Sequence, residues 1–473
     1  MTAVVSAPRV VLSAGYVAEA VNGRLMSGDP ARVFATVSTD SRALLVPEVC
    51  AGALFIALAG PNFDGHTFVA DLVARHVGGV LTAHPVSASG PTAIIQVTDT
   101  LDALQRLATA VRRASGARVV AITGSAGKTT TKEMTADLLA AKFRVFRNLG
   151  NLNNHIGLPL SLLELRHGAD MAVVELGMNH AGELRTLVGI ADPDVRVWTN
   201  VGDAHIGHFG SRAAIADAKA EILDGASAAS VLIANADDPM IAARVGGFPG
   251  RTITFGEDDG ADVRATQIED RGFDGTSAIV SIAGVAHTVH VPLPGRVNLM
   301  NALAAMAVAA DAGVPVVDML PRLAALTPVS RRGEVTALTS GARLVDDSYN
   351  ASPAALLFAL DALAATPAKR RVAMLGEMRE LGDLTATLHV ACGRAAALAG
   401  VDELVVVGGP AADGLAKGAR AAGLVADRIH RFADSAAAAE RAPSLVGAGD
   451  LVLVKGSRGT RMDVVADRLK GRA

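Results

Sequence analysis

Residues 119–131 read VVAITGSAGKTTT, and what these thirteen residues form decides the fold. β-favouring residues lead into a Gly-Ser-Ala-Gly turn, and a helical pattern begins at Lys128 and runs through Met134, Leu138 and Leu139. A strand, a phosphate loop and a helix are expected in that order. The glycines of Gly124-Ser125-Ala126-Gly127 let backbone N–H groups turn inward around an anion, and the helix start adds partial positive charge. Lys128 supplies a full charge, the Thr129 hydroxyl can reach Mg²⁺, and Thr130 continues the same turn. The first glycine of the G-x-x-x-x-G-K-[ST] pattern would fall on Ile122, so this is a shorter variant. The competing reading is a Gly-rich turn with a solvated lysine. Strand, Gly-Lys-Thr and helix occurring together favour a loop that holds a nucleoside triphosphate.

Outward from that stretch, 473 residues are enough for about three domains. Half of them are apolar, so each domain can bury a core. A net charge of −3 and 3% aromatic residues supply neither the basic face nor the stacking rings that nucleic acid needs, so no nucleic-acid partner is expected. Cys50 and Cys392 form no metal-ligand spacing and read as core thiols. The start, MTAVVSAPRVVL, has no basic region before its apolar run, and no apolar run nears the length of about 18 that suggests a membrane span. A cytoplasmic protein without a membrane span is the expectation.

Before the phosphate loop, residues 1–115 mix short strands with helical patterns. Their notable feature is Thr39-Asp40-Ser41-Arg42. Arg42 can meet a phosphate with both arms of its fork, or the segment is a turn with a surface ion pair. From 116 to 327, β and α patterns alternate, with strands at Arg118–Thr123, Met171–Leu176, Val195–Asn200 and Val231–Asn235, which implies a largely parallel sheet. Ligands bind at the carboxyl ends of such strands, where Thr129, Glu175, Asn200 and His205 stand. A carboxylate and an imidazole beside a triphosphate suit a divalent cation, although His208 competes with His205 for that place. The amide-rich run NLGNLNNHIGLP from Asn148, which includes Asn151 and Asn154, suits either a loop that reads a polar ligand or plain turn chemistry.

Residues 211–223 form a helix with Ser211 as N-cap, and on their own Lys219 and Glu221 read as an exposed pair. A β-rich stretch from Arg251 to Val291 precedes PLPGRVNLMNALAA, where a helix begins near Asn298. Asn298 and Asn301 share one face and can offer carboxamides to a purine, unless Asn298 is the helix cap. Beyond 328, strands at Ala342–Asp346, Arg371–Leu375, Glu403–Val407 and Leu451–Val454 alternate with Ala/Leu-rich helices in a second doubly wound sheet. Its conspicuous loops carry Asp347 and Asn350, and then Lys455 and Arg458 in a basic cluster that can recognise a carboxylate.

Together, TGSAGKTTTKE, NLNNHIGLPLSLLE, ELGMNHAGEL, AHIGHFGS, AKAEI, PLPGRVNLMNALAA, DDSYNASP and LVKGSRGTRM resemble the Mur ligase family, the ATP-dependent amide-forming enzymes of peptidoglycan synthesis. They resemble in particular its branch that joins D-alanyl-D-alanine to UDP-N-acetylmuramoyl-tripeptide. The resemblance implies an α/β protein of three domains: a smaller N-terminal α/β domain for the uridine nucleotide (1–115), a central P-loop-type parallel-sheet ATPase domain (116–327) and a C-terminal Rossmann-like domain (328–473). It implies that Lys128 and Thr129 bind phosphates and Mg²⁺, that Glu175 and His205 complete the metal site, and that Asn298 and Asn301 meet adenine. Arg332 and Asp347 would reach ATP, and Ser41 and Arg42 would lie in the uridine-nucleotide loop. Lys219 takes the position that is carbamylated in the family, where an anion would hold a second Mg²⁺. Two departures stand out: Val297 where the family often has His, and a longer N-terminal loop, VPEVCAGALF. A monomer is expected. The alternatives are another amino-acid ligase of the family, or a nucleotide-binding switch or scaffold without ligase chemistry.

Overall fold

Runs such as MAVVE and VLIAN carry no polar alternation, and in the computed structural model every residue of Met171–Glu175 and Val231–Asn235 is buried. Strands covered on both faces read this way because helices lie over each side of a parallel sheet. The structure describes residues 9–471 apart from 62, 87–89, 149, 151, 205 and 329. They group into two compact units, the first being the chain through Ile122 with Lys142–Arg196 and Glu221–Ser230, the second Thr123–Ala141, Val197–Ala220 and the chain from Val231 onward.

In the first unit a five-stranded sheet runs in the order Arg24–Ser27, Ala93–Gln96, Gly79–Thr82, Ala53–Ile56, Thr36–Ser38, parallel except for its first member. The N-terminal segment VPEVCAGALF contains one helical turn, Pro47–Ala51, with Pro47 at its start and Cys50 as its buried residue. The strand Met171–Glu175 pairs in parallel with Arg118–Thr123 on one side and Val145–Arg147 on the other.

In the second unit Val231–Asn235, Arg251–Gly256 and Val263–Asp270 are parallel neighbours. The β-rich stretch then departs from the parallel pattern: Thr276–Ile282 and Val285–Val291 pair antiparallel. Thr276, Ala278, Val280 and Ile282 are buried while the residues between them are not, the period-two signature of a sheet with one wet face.

The C-terminal sheet runs Glu334–Ala337, Arg343–Asp347, Asp450–Lys455, Arg370–Gly376, Glu403–Val407, Ile429–Phe432, and only its first pair is antiparallel. Alternate residues feed opposite cores. Ala373 and Leu375 join Leu404, Leu451 and Leu453 beneath Leu360 and Leu415, whereas Val372 and Met374 join Val405, Val452 and Val454 beneath Ala438 and Val465. This is the doubly wound, Rossmann-like arrangement expected of alternating βα units. The chain is therefore an α/β protein with an N-terminal sheet, a phosphate-loop region and a doubly wound C-terminal sheet.

Candidate active site

The loop 124–127 continues Arg118–Thr123 into the helix Lys128–Leu139, which starts at Gly127 with no side chain capping it. Gly127 has φ +78°, a conformation that L side chains rarely adopt, and a Cβ there would collide with Asn301 Oδ1. Gly124 is needed for a different reason: a Cβ would collide with Thr199 Oγ1. Three residues just after the strand Val195–Trp198 fix the rest of the loop. Asn200 Oδ1 accepts from Ala126 N at 2.9 Å, Asn200 Nδ2 donates to Ala126 O at 3.0 Å, and Ser125 N donates to Asn200 O at 3.1 Å. Thr199 Oγ1 donates to Ala126 O at 3.2 Å, and Gly202 N donates to Ser125 Oγ at 2.8 Å. The shortened loop is thus held by a neighbouring strand end. Asn200 figured among the strand-end residues in the sequence, but Thr199 gave no signal there, since its role depends on a partner 75 residues away.

Two lysines meet at this loop. Lys128 Nζ donates to Gly124 O at 2.8 Å, and Lys219 Nζ donates to the same oxygen at 3.1 Å. The helix Arg212–Ala220 carries Lys219, and Ser211 Oγ accepts from Ala214 N at its start, as the capping signal implied. The exposed pair of Lys219 and Glu221 read from sequence is corrected: Lys219 is 2% exposed and Glu221 is 8% exposed. Glu221 accepts from the backbone N–H groups of Gly182 and Arg185 instead of meeting a lysine. Arg212 and Asp217 of the same helix stay exposed, and Lys219 lies on its inner face with Ile215, Ala216 and Ala218. Burial, then the nearby charge of Lys128, pushes the Lys219 amine well below its ordinary 10.5.

The helix Arg296–Asp311 begins two residues before Asn298, so Asn298 is not its cap; its Nδ2 donates back to Pro294 O at 2.7 Å. Asn301 Nδ2 donates to Asn298 Oδ1 at 3.1 Å, and Thr131 Oγ1 donates to Asn301 Oδ1 at 3.1 Å. The shared face is as expected, and the buried Asn301 uses it to bind this helix to the phosphate-loop helix. Beside Thr130 lies a cavity of about 220 Å³ lined also by Glu133, Met134, Leu293, Arg322 and Thr327.

Within the first unit Glu175 is 4% exposed, and Asn153 Nδ2 donates to its Oε1 at 2.9 Å. Asn148 Oδ1 accepts from Glu175 N at 3.2 Å, so part of the amide-rich run holds the carboxylate. Asn154 does turn work, its Oδ1 accepting from Gly157 N at 2.8 Å and Ile156 N at 3.2 Å. Asn151 and His205 lie outside the described residues; His208 is exposed on the short helix Ile206–Phe209. Ser41 opens a short helical turn, and Arg42 clasps the neighbouring Asp40 through Nη2–Oδ2 at 2.8 Å and Nε–Oδ1 at 2.9 Å on the surface.

In the C-terminal sheet, Asp347 and Lys455 end adjacent parallel strands, and Lys455 Nζ donates to Asp347 Oδ2 at 2.6 Å and to Asn350 O at 3.1 Å. Asn350 Oδ1 accepts from Arg458 N at 3.3 Å. Arg332 lies over the Tyr349 ring, 4.2 Å from its centroid. Burial pushes the Asp347 carboxyl up, against the opposing pull of Lys455 and Arg332. Asp347, Asn350, Lys455, Arg458 and Arg332 therefore form one cluster, to which sequence reasoning had not assigned Tyr349.

A lysine beside a glycine-rich loop at an uncapped helix start can clamp a polyphosphate. Among the described residues no three His, Cys, Asp or Glu gather as a metal cage. Glu175 by itself, buried and oriented by Asn153, is a carboxylate of the kind that takes a hard divalent cation.

A model of the Mur ligase middle domain matches residues 122–309, and one of the Mur ligase glutamate ligase domain matches 331–458. The UDP-N-acetylmuramoyl-tripeptide–D-alanyl-D-alanine ligase of Bacillus subtilis is 35% identical over 456 residues, which is 96% of this chain and 97% of that protein. The crystal structure of MurF from Acinetobacter baumannii superposes with a TM-score of 0.88 at 31% identity, covering 98% of this chain and 100% of that one. MurF ligase from Thermotoga maritima, solved in complex with ADP, gives 0.81 at 30% identity and covers 92% and 97%. With two of the family's domain models matching in succession and relatives of this identity aligned almost from end to end, the chain belongs to the Mur ligase family.

Proposed function

We infer that this chain is an ATP-dependent, ADP-forming amide ligase that adds D-alanyl-D-alanine to UDP-N-acetylmuramoyl-tripeptide in peptidoglycan precursor synthesis. The observation that carries it is the pair of lysines on Gly124 O at a phosphate loop, in a chain alike almost end to end to ligases of that name. The terminal carboxylate of the tripeptide attacks the γ-phosphorus of ATP, and the bond to the bridging oxygen breaks to release ADP. The amine of D-alanyl-D-alanine then attacks the acyl phosphate, loses a proton and expels inorganic phosphate. Two anions must approach each other in the first step, and Lys128 offsets their repulsion once it leaves Gly124 O for the phosphates. Arg332 and Asp347 steady the nucleotide, Asn298 and Asn301 face its base, and Asn350, Lys455 and Arg458 receive the dipeptide. Ser41, Arg42, Asn151 and Asn154 belong to the side that takes the UDP-linked peptide. These assignments rest on the resemblance of the motifs.

Mg²⁺ would be held by Thr129, Glu175, His205 and a carbamylated Lys219, and when bound would neutralise the triphosphate. The lowered proton affinity of Lys219 supports the modification. A neutral amine attacks CO₂ through its lone pair, forming an N–C bond and releasing a proton, whereas an ammonium has no lone pair to give. Segments 1–115, 116–327 and 328–473 serve as uridine-nucleotide, ATP and closing domains in this reading, which also takes the protein as a cytoplasmic monomer. Among the described residues no helix is long and apolar enough to cross a membrane.

Phosphate release measured with ATP should require both the UDP-linked tripeptide and D-alanyl-D-alanine. Release that ignores the dipeptide, or that responds to a single amino acid in its place, overturns the reading.

A further inference from the structure

The chain has two tyrosines and 3% aromatic residues, and one of those tyrosines carries two arginines. The Arg332 guanidinium carbon is 4.2 Å from the centroid of the Tyr349 ring, and that of Arg458 is 5.8 Å away. The three come together from different parts of the chain. Arg332 precedes the strand Glu334–Ala337, Tyr349 follows Arg343–Asp347, and Arg458 follows Asp450–Lys455. The backbone holds them in place: Tyr349 N donates to Arg331 O at 3.1 Å, and Arg458 N donates to Asn350 Oδ1 at 3.3 Å.

Lys455 has its carboxylate in Asp347, and Arg331 has Asp463 and Asp467. Among the described residues no carboxylate comes within ion-pairing distance of Arg332 or Arg458, although the charge of Arg332 is felt at Asp347. Stacking differs from ion pairing in what it leaves over. A guanidinium drawn to a ring face by the ring's quadrupole has no carboxylate to occupy its five N–H donors. An ion pair with a carboxylate would fix the arginine equally well, but it would consume both the charge and the fork. The ligase reaction brings two kinds of anion to be gripped, the phosphates of the nucleotide and the terminal carboxylate of the incoming dipeptide.

We propose that Tyr349 is a positioning residue that presents Arg332 and Arg458 as uncompensated forks to those two anions, one to a nucleotide phosphate and the other to the dipeptide carboxylate. The proposal rests on the ligase reading for the identity of the second anion, while its nucleotide half stands on ATP binding alone. The face of the ring carries the function, and the hydroxyl is not needed for it.

The test uses the full chain with Tyr349→Leu and Tyr349→Phe. Binding of a non-hydrolysable ATP analogue is measured by calorimetry without any amine, and KM for D-alanyl-D-alanine is measured from phosphate release. Tyr349→Leu is expected to weaken analogue binding and raise the dipeptide KM, each about five- to tenfold, the scale of one cation–ring contact. Tyr349→Phe should stay within about twofold of the parent in both. In an Arg458→Gln background, Tyr349→Leu should no longer raise the dipeptide KM. Should Tyr349→Leu melt early, Tyr349→Met, with more of the ring's bulk, takes its place. Parent-like values for the non-aromatic variant overturn the proposal, as does a phenylalanine variant as defective as leucine, or a full additional loss in the Arg458→Gln background. A parent chain that releases no phosphate in response to the dipeptide would sink the ligase reading while leaving the nucleotide half of this test readable.

Discussion

Lys128 and Lys219 share one acceptor, the Gly124 carbonyl, yet they face opposite physical demands. Lys128 is half-buried at the loop and must keep its proton to meet phosphate. Lys128→Ala should lower kcat/KM by about 10²- to 10³-fold or more, with an unchanged melting curve; phosphate release near the parent rate would remove its role. Lys219 is enclosed, and burial disfavours its charged form. Unfolded, its amine takes a proton as pH falls through the ordinary 10.5, whereas folded it does so only much lower. Across that window the unfolded chain binds one more proton, so falling pH costs stability until the folded amine titrates as well. In bicarbonate-free buffer the urea midpoint of Lys219→Met, relative to the parent, should therefore be higher at about pH 8 than at about pH 10. A difference that stays constant would show that the folded amine keeps its proton. For activity, Lys219→Ala should lose most turnover and regain part of it with formate or acetate, whose carboxylate replaces that of a carbamate; no regain at any concentration would argue against the modification.

The strand, loop and helix at 118–139 were legible because three signals coincide there: an apolar run without alternation, glycines at the turn, and a lysine at the helix start. What was not legible is why this loop tolerates being short. Ala126 has both its N–H and its carbonyl engaged by Asn200, and Thr199 fills the space that a Cβ at Gly124 would need. These partners belong to another strand, and no local pattern in the sequence announces a contact across 75 residues. The helix expected near Asn298 starts at Arg296, just after Gly295 at φ +79°, so of the two readings of Asn298 the cap is set aside and its side chain donates to Pro294 O. Gly124→Ala should consequently push Thr199 and the loop apart and weaken ATP-analogue binding by about tenfold or more, since a packed contact of this kind costs on the order of 1–3 kcal/mol. Adding Thr199→Ala opens the space and should recover part of that affinity. A Gly124→Ala chain that binds normally would show the loop to be softer than its hydrogen bonds imply.

Over the whole molecule, the alternation of apolar strands with Ala/Leu-rich helices made the α/β class plain, because burial on both faces of a parallel sheet writes itself into composition. Burial inside helices was harder to read. Lys219 is enclosed with Ile215, Ala216 and Ala218 without any change in the pattern. The two cysteines fall on the readable side, taken as core thiols from their isolation in sequence, and both are buried, Cys50 in the first unit and Cys392 in the second. Burial raises both thiols, that of Cys392 to about 12, so almost none of it is thiolate at neutral pH. A water-soluble disulfide reagent should accordingly leave the native protein unlabelled and react only through opening of the fold. Because ATP binds the folded form, a concentration about a hundred times its Kd should slow labelling of Cys392 about a hundredfold if that labelling needs global opening. Peptide mass mapping reads each thiol separately. Rapid labelling of Cys392 that ATP does not slow would mean that the helix Thr385–Leu398, which carries it, opens without the phosphate loop, and the C-terminal core would then be far less cooperative than its interlocked faces indicate.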